Sequence, residues 1–387
     1  MLNFYSTIDE RVEKLMKFKK DQKLIFLCST RDFHAMDWVE SYKKISGCEP
    51  TIFTESKSGE GLKDLSSNYN SVHNLFLIDF FLFSSQNKFS SIYRNILKIL
   101  LIPLQVFILK IKINKLKLKK SIFHCHGMYY SLIAALSGIN FISTPQGSEI
   151  LIRYDSFFYK LFADFIFKRS LFITIDSSSM KKKINNNFQS KIYIIQFGVN
   201  IDIIESIKQS HKVKRKNAAL SPRGMTSLYQ IREITYAFNS LKNKLLSLDF
   251  CYPFADIDYL ESVKKISKNK SFYYGQLERI ELYKKFLEYK YVISIPSSDS
   301  SPRSVYEAVI CGCIVIVQLN KYLLELPKTI RERIVSVDIQ NPNWLKKGLT
   351  EALLCKPLGQ LDYKTKNYLD QKYQMKKILT IINSIDE

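Results

Sequence analysis

Residues 297–317, SSDSSPRSVYEAVICGCIVIV, leave few folds open to this chain. They follow the apolar run 291–296, YVISIP, and divide into a polar loop, a short amphipathic segment and a second apolar run. The pattern predicts a strand, a loop, a helix and then a buried parallel strand at 314–317. Ser301 suits the helix N-cap, Pro302 its first turn and Gly312 its stop. A helix that starts at the end of a parallel strand presents unpaired N–H groups, a natural anion site. Asp299 lies just before that start, Arg303 in the first turn and Glu307 beyond it. Such a set can hold a phosphorylated ligand and position its hydroxyl groups.

The rest of the chain repeats the same alternation. Strands are expected at 24–28, 50–53, 74–77, 121–127, 141–144, 171–175 and 191–195. A polar, basic stretch at 208–217, KQSHKVKRKN, interrupts it and marks a boundary. Strands resume at 218–221, 248–252 and 271–274. Helices are expected through Trp38 and Tyr42, from about 89, at 129–136, 231–241 and 260–266, from 280, and at 374–385. With 387 residues, two α/β domains are more natural than one. No repeat of solenoid period is present.

The chain carries 58 basic and 36 acidic side chains, a formal charge of +22. From Phe80 to Ser148 there is no acid, while Lys88, Arg94, Lys98, Lys110, Lys112, Lys115, Lys117, Lys119 and Lys120 all fall inside. Such a field favours anionic membrane, nucleic acid or phosphorylated substrates. Residues 96–113 are apolar on several faces, but lysines, Pro103 and Gln105 interrupt them, so they are too broken to span a bilayer. The adjoining lysines point to a helix lying on an anionic membrane surface. No nucleic-acid-binding motif accompanies the charge, so no nucleic-acid partner is expected. Residues 1–10 lack a basic segment followed by an apolar core, so no signal peptide is expected. Seven scattered cysteines without a pairing framework fit a reducing cytoplasm. Cys311 and Cys313 read as packing residues.

No metal cluster is expected. His124 and His126 are read as pointing to opposite faces of their strand. Asp256 and Asp258 precede a helix and read as caps, as do Ser177, Ser178 and Ser179. His34, in the first strand-end loop, is a candidate base or hydrogen-bond donor.

Segment 297–317 resembles the signature of glycosyltransferase family 4, retaining nucleotide-sugar transferases of the GT-B fold. Asp299 and Glu307 have the family's separation of seven intervening residues, followed by Ala308, a small-residue turn and an apolar strand. Other segments are similar to family motifs: His124-Cys-His126-Gly127, Pro145-Gln146-Gly147-Ser148-Glu149, Gln196-Phe-Gly198-Val-Asn200, Pro222-Arg223-Gly224 and Tyr274-Gly275-Gln276-Leu277. Three positions depart from the pattern. Asp299 replaces a glutamate, Gln146 a histidine, and Leu228 a lysine that faces the diphosphate.

The resemblance implies two Rossmann-like domains facing each other across a cleft. Residues 1–210 would bind the acceptor and 211–373 the nucleotide sugar. A helix at 374–387 would pack back on the first domain. Arg223, Gly224, Gly275, Gln276, Leu277, Arg303, Ser304 and Glu307 would hold the nucleotide sugar, Glu307 through its ribose. Asp299 and Gln146 would face the reacting sugar, and His34, in the first loop of that fold, would reach the acceptor as a base or hydrogen-bond donor. His126, Gly127, Gly147, Ser148, Glu149 and Gly198 would line the cleft. The expected activity is metal-independent, cofactor-free transfer from a nucleoside-diphosphate sugar to a glycan or lipid-linked glycan. Bacterial capsule or O-antigen assembly at the inner face of the membrane is the expected setting. A non-hydrolysing sugar-nucleotide epimerase shares the architecture. A basic nucleic-acid-binding protein and a transferase-like protein that binds without turnover are the remaining alternatives.

Overall fold

A computed structural model describes residues 23–87, 89–241, 247–267 and 271–385. The signal-peptide reading of residues 1–10, and Lys88, lie outside these. Two separate all-parallel sheets organise the chain. The first has seven strands: β1 Leu24–Leu27, β2 Thr51–Thr54, β3 Ser71–Asn74, β4 Ile122–His126, β5 Phe141–Thr144, β6 Phe172–Ile175 and β7 Ile192–Ile194. They lie in the order β3-β2-β1-β4-β5-β6-β7. The second has six: β8 Lys216–Ser221, β9 Leu248–Cys251, β10 Tyr273–Gly275, β11 Tyr289–Ser294, β12 Ile314–Gln318 and β13 Ile334–Val337, in the order β10-β9-β8-β11-β12-β13.

Both sheets are covered on both faces, which is why their strands read as short continuous apolar runs. Along β1, Ile25 and Leu27 enter one core, while Leu24 and Phe26 enter the other. Along β12, Val315 and Val317 separate from Ile314 and Ile316 in the same way. The same period of two corrects the histidine reading. Residues i and i+2 share a face. The rings of His124 and His126 accordingly lie 4.4 Å apart, with Cys125 on the other side.

Each sheet reverses its strand order once, between β1 and β4 and between β8 and β11. Loops leaving the carboxyl ends of such strands diverge and open a crevice. The two crevices face each other. The chain passes from the first core to the second near Val199, and the helix Ile201–Ser210 packs Ile201, Ile204 and Ile207 into the second core. It returns at the end: Met375, Ile378, Leu379 and Ile382 of the helix Gln371–Ile385 pack against the helix Phe33–Ser46 in the first. The crossing segments are paired, with Val199 N–H donating to Leu369 O at 2.7 Å and Gln371 N–H to Val199 O at 3.1 Å.

The basic segment forms one long helix, Ser90–Lys115, containing Pro103. It buries Gln105, Leu109 and Ile113, and exposes Ile92, Ile96, Ile99, Leu100, Phe107 and Ile111. Phe107 is 62% exposed and Leu100 71%. Phe157, Phe158 and Leu161, on the helix Phe157–Arg169 of the same layer, are exposed as well. Among the described residues no helix is long and apolar enough to cross a membrane.

Candidate active site

A cleft of about 860 Å³ lies between the two sheets, within the range of small-molecule sites. Loops from both switch points line it: Ser29 to Asp37 after β1, His126 and Gly127 after β4, Pro222 to Gly224 after β8, and Ser298 to Glu307 after β11. Every residue that the resemblance brings to the site lines this cleft except Gly198. Gly198 sits at the crossing point instead. Its φ is 76°, and a Cβ there would lie 2.5 Å from the Gln371 Cα.

The helix Arg303–Ile310 begins at Pro302, whose N-cap position carries no side-chain cap. Ser301, expected as the cap, turns its hydroxyl to Gln196 and to Tyr306 Oη, 2.8 Å away. Gly312 ends the helix as expected, with φ 93° and its N–H donating to Val309 O at 2.7 Å.

Arg223 leaves β8 toward this helix start. It pairs with Asp299 and donates from Nη1 to Ser304 Oγ at 3.1 Å. Its guanidinium lies 4.7 Å above the Tyr229 ring, next to the leucine that stands in the lysine position. Burial pushes Asp299 above the usual carboxylate range, against the opposing pull of Arg223. The neighbouring Gly224 also lines the cleft. A Cβ there would lie 2.5 Å from the Phe254 ring, so the absent side chain makes room for aromatic packing.

Glu307 is 4% exposed, and three donors converge on its Oε1: Arg303 Nε at 2.9 Å, Arg279 Nη1 at 3.0 Å and Tyr283 Oη at 2.8 Å. Oε2 stands outside this set. Arg303 and Arg279 also pair with Asp37 on the first domain, Arg279 at 2.7 Å. Burial works to raise the Asp37 pKa, but the two guanidinium groups outweigh it and hold it low. Two arginines and two carboxylates therefore bridge the cleft. Arg279 and Asp37 were not legible in the sequence. Arg279 stands two residues past Leu277, and Asp37 one helical turn past Phe33, and neither matches a motif.

The first domain contributes a polar wall. Glu149, half-buried and with its pKa raised by desolvation, accepts Met128 N–H at 3.1 Å and Gln146 N–H at 2.8 Å. Its carboxylate thus fastens the Gly127 turn to the Gln146 turn. Gln146 Nε2 reaches Asp32 Oδ2 at 3.3 Å. Asp32 caps the helix Phe33–Ser46 through His34 N–H at 2.9 Å. The ring of His34 lies between Phe33 and Phe197, at 4.1 and 4.9 Å. Burial, helped by Arg303, pushes its pKa down to about 3, so it is neutral at physiological pH. Burial likewise takes His126 well below its ordinary value.

Domain contact is tight elsewhere along the cleft. A Cβ on Gly147 would collide with Ser300 Oγ. Ser178 N–H donates to Glu325 Oε2 at 3.0 Å. Ser177 caps its helix and Asp256 accepts Tyr259 N–H at 2.9 Å, both in the capping roles expected. Among the described residues no cluster of three or more His, Cys, Asp or Glu side chains is placed to hold a metal ion.

Among the described residues, five buried polar atoms on residues lining the cleft have no hydrogen-bond partner: His34 Nδ1, His126 Nε2, Asp176 Oδ1, Arg223 Nε and Arg303 Nη2. Buried polar atoms are normally satisfied. Here the unpartnered atoms come from residues of both domains that line the cleft.

No protein-family model matches the sequence, and no curated protein sequence matches it. Solved structures do match the fold. Sucrose-phosphate synthase from Thermosynechococcus elongatus superposes with a TM-score of 0.72 at 11% identity, over 94% of this chain and 99% of that one. Anabaena HepE, solved with UDP and glucose, gives 0.68 at 11% identity over 94% and 100%. The UDP-forming α,α-trehalose-phosphate synthase from Burkholderia xenovorans gives 0.64 at 12% over 94% and 98%. The chain therefore has the architecture of these GT-B glycosyltransferases, two Rossmann-like domains with a cleft between their switch points.

Proposed function

We propose that this protein transfers a sugar from a nucleoside-diphosphate sugar to a hydroxyl of a glycan or lipid-linked glycan, with retention and without a metal. The observation that carries this reading is the set of five unpartnered polar atoms around the cleft. Arg223, Arg303 and the uncapped helix start would take the diphosphate, where charge accumulates as the sugar leaves. Glu307 Oε2 would receive ribose hydroxyls, since Oε1 is occupied. Asp299 and Gln146 would hold sugar hydroxyls. Solved neighbours bound to UDP support a nucleotide-sugar donor.

The bond from the anomeric carbon to the diphosphate oxygen breaks, and the bond to the acceptor oxygen forms on the same face. The acceptor hydroxyl must lose its proton. A His34 pKa of about 3 makes it a poor base at neutral pH, and it serves better as a donor. The proton therefore passes to the departing diphosphate, which gains basicity as its bond to carbon breaks.

The exposed apolar helix Ser90–Lys115 and its lysines support placing the reaction at the inner face of a membrane. Together with the family resemblance, this favours a surface-polysaccharide acceptor such as capsule or O-antigen. A thermal-shift screen with UDP, GDP and ADP, and with their sugar conjugates, tests the central reading. At least one nucleotide should raise the melting temperature, and Arg223→Ala should remove that shift. Absence of any shift in the unaltered protein would overturn the reading.

A further inference from the structure

Asp176 stands just past the end of β6, on the first-domain wall of the cleft, and is 5% exposed. Its Oδ2 accepts a hydrogen bond from Ser300 Oγ, across the domain interface, at 2.7 Å. Its Oδ1 is buried and has no partner. Ser300 is the residue against which Gly147 packs, and Asp299 precedes it. The carboxyl is thus fixed between the Gly147 turn and the acid expected to hold the sugar.

A second ionised carboxylate beside Asp299 would repel an anionic donor. The surroundings counter this. Burial, with a contribution from the Asp299 charge, pushes Asp176 up to about 7, although hydrogen bonds from Ser300 and Ser177 pull the other way. Tyr306 and Tyr368, both raised by burial, also face it, and the Glu325 carboxylate of the second domain lies close by on Ser178. With Oδ2 occupied as an acceptor, Oδ1 is the oxygen that carries the proton whenever the group is neutral.

We propose that Asp176 is a donor-sugar-binding residue whose unpartnered Oδ1 hydrogen-bonds a hydroxyl of the transferred sugar, while Oδ2 stays on Ser300. This rests on the nucleotide-sugar reading above. It assigns the sugar a contact from the first domain, whereas the diphosphate and ribose are held by the second. Sugar recognition and domain closure then coincide, because Oδ2 of the same carboxyl holds Ser300.

The test is isothermal titration of the full chain with UDP, GDP and ADP and with the glucose conjugate of each. Asp176→Ala should weaken the sugar nucleotide about tenfold, the scale of one lost hydrogen bond in a buried site, and the free diphosphate by less than about twofold. Asp176→Asn, which keeps an acceptor for Ser300 and a donor for the sugar, should restore the sugar nucleotide affinity. Between about pH 6 and about pH 8.5 the unaltered protein should lose affinity for the sugar nucleotide, and Asp176→Asn should not. A sugar nucleotide lacks the terminal phosphate ionisation, so its own titration does not mimic this.

Equal loss on both ligands in Asp176→Ala would mean that the residue only braces Ser300, and would overturn the proposal. So would a pH-independent affinity in the unaltered protein. Either result leaves the nucleotide-sugar reading standing if Arg223→Ala still weakens the diphosphate. Failure of every nucleotide to bind the unaltered protein would remove both.

Discussion

Arg223, just past a strand end, and Glu307, in the second turn of a helix, each meet several partners at once. Arg223 already has an acid, a hydroxyl and an aromatic face as partners, yet its Nε is left over. Arg223→Ala is expected to weaken a bound nucleoside diphosphate by about 1.5–3 kcal/mol, the scale of a charge-assisted contact. Titration calorimetry reads this directly, and unchanged affinity would move the diphosphate elsewhere. Glu307→Gln should leave the fold intact and reduce transfer strongly, measured as turnover alongside circular dichroism. Normal turnover would assign Glu307 to the Arg303–Arg279 bridge alone.

Asp176 gives a stability prediction with a definite sign. Its folded pKa of about 7 lies above that of an unfolded aspartate, so the native state holds the proton longer. Stability therefore falls as pH rises from the unfolded pKa to the folded one, by up to about 1.4 kcal/mol per pH unit, and then levels off. Asp176→Asn should be the more stable protein by a margin that grows over that window. Denaturant melts at several pH values would show it, and a constant margin would contradict it. At this scale the motif residues were legible, because strand-end turns carry local signals in Gly127, Gly147 and Gly275. Asp37, Arg279 and Asp176 were not, because only closure of two domains brings them to one cleft.

At the scale of elements, the buried strands were legible for a physical reason. Phe141–Thr144 is covered on both faces and appears as a short apolar run with polar ends. The edge strand Ser71–Asn74 was placed too late in the sequence, since its own residues are half-buried and the apolar residues follow in the loop. The second-sheet edge strand Ile334–Val337, next to Arg331, Glu332 and Arg333, was not read at all. The helix Ser90–Lys115 was legible in its start near residue 89, but the sequence left open which face it exposes. The structure exposes the apolar one. Replacing Ile99 and Phe107 with glutamate should abolish flotation with anionic liposomes without lowering thermal stability, because both side chains are exposed. Each basic residue near such a surface contributes about 1 kcal/mol, so binding of the unaltered protein should also weaken as salt rises. Absence of flotation at low salt would leave the apolar face without this role.

For the whole molecule, the bridge of Asp37, Arg279, Arg303 and Glu307 joins the two domains across the cleft. Asp37→Asn removes the charge on the first domain and leaves the rest in place. Small-angle scattering should then show a larger radius of gyration, more so at low salt, where the intact bridge is strongest. An unchanged curve would mean that the serine contacts alone keep the cleft shut.

The paired crossing segments at Val199 and Leu369–Gln371 carry a mechanical consequence. A door hung on one strap can twist and swing in any direction, whereas one hung on two adjacent straps turns about a single axis. The backbone bonds between the two crossings make them such a pair, and Gly198 has no room for a side chain where they meet. Any opening of the cleft would have to pivot at this pair, so the contacts of Asp176 with Ser300 and of Asp37 with Arg303 would part and meet together. The same construction means that no single cut yields two whole domains, because the last helix of the chain completes the core of the first.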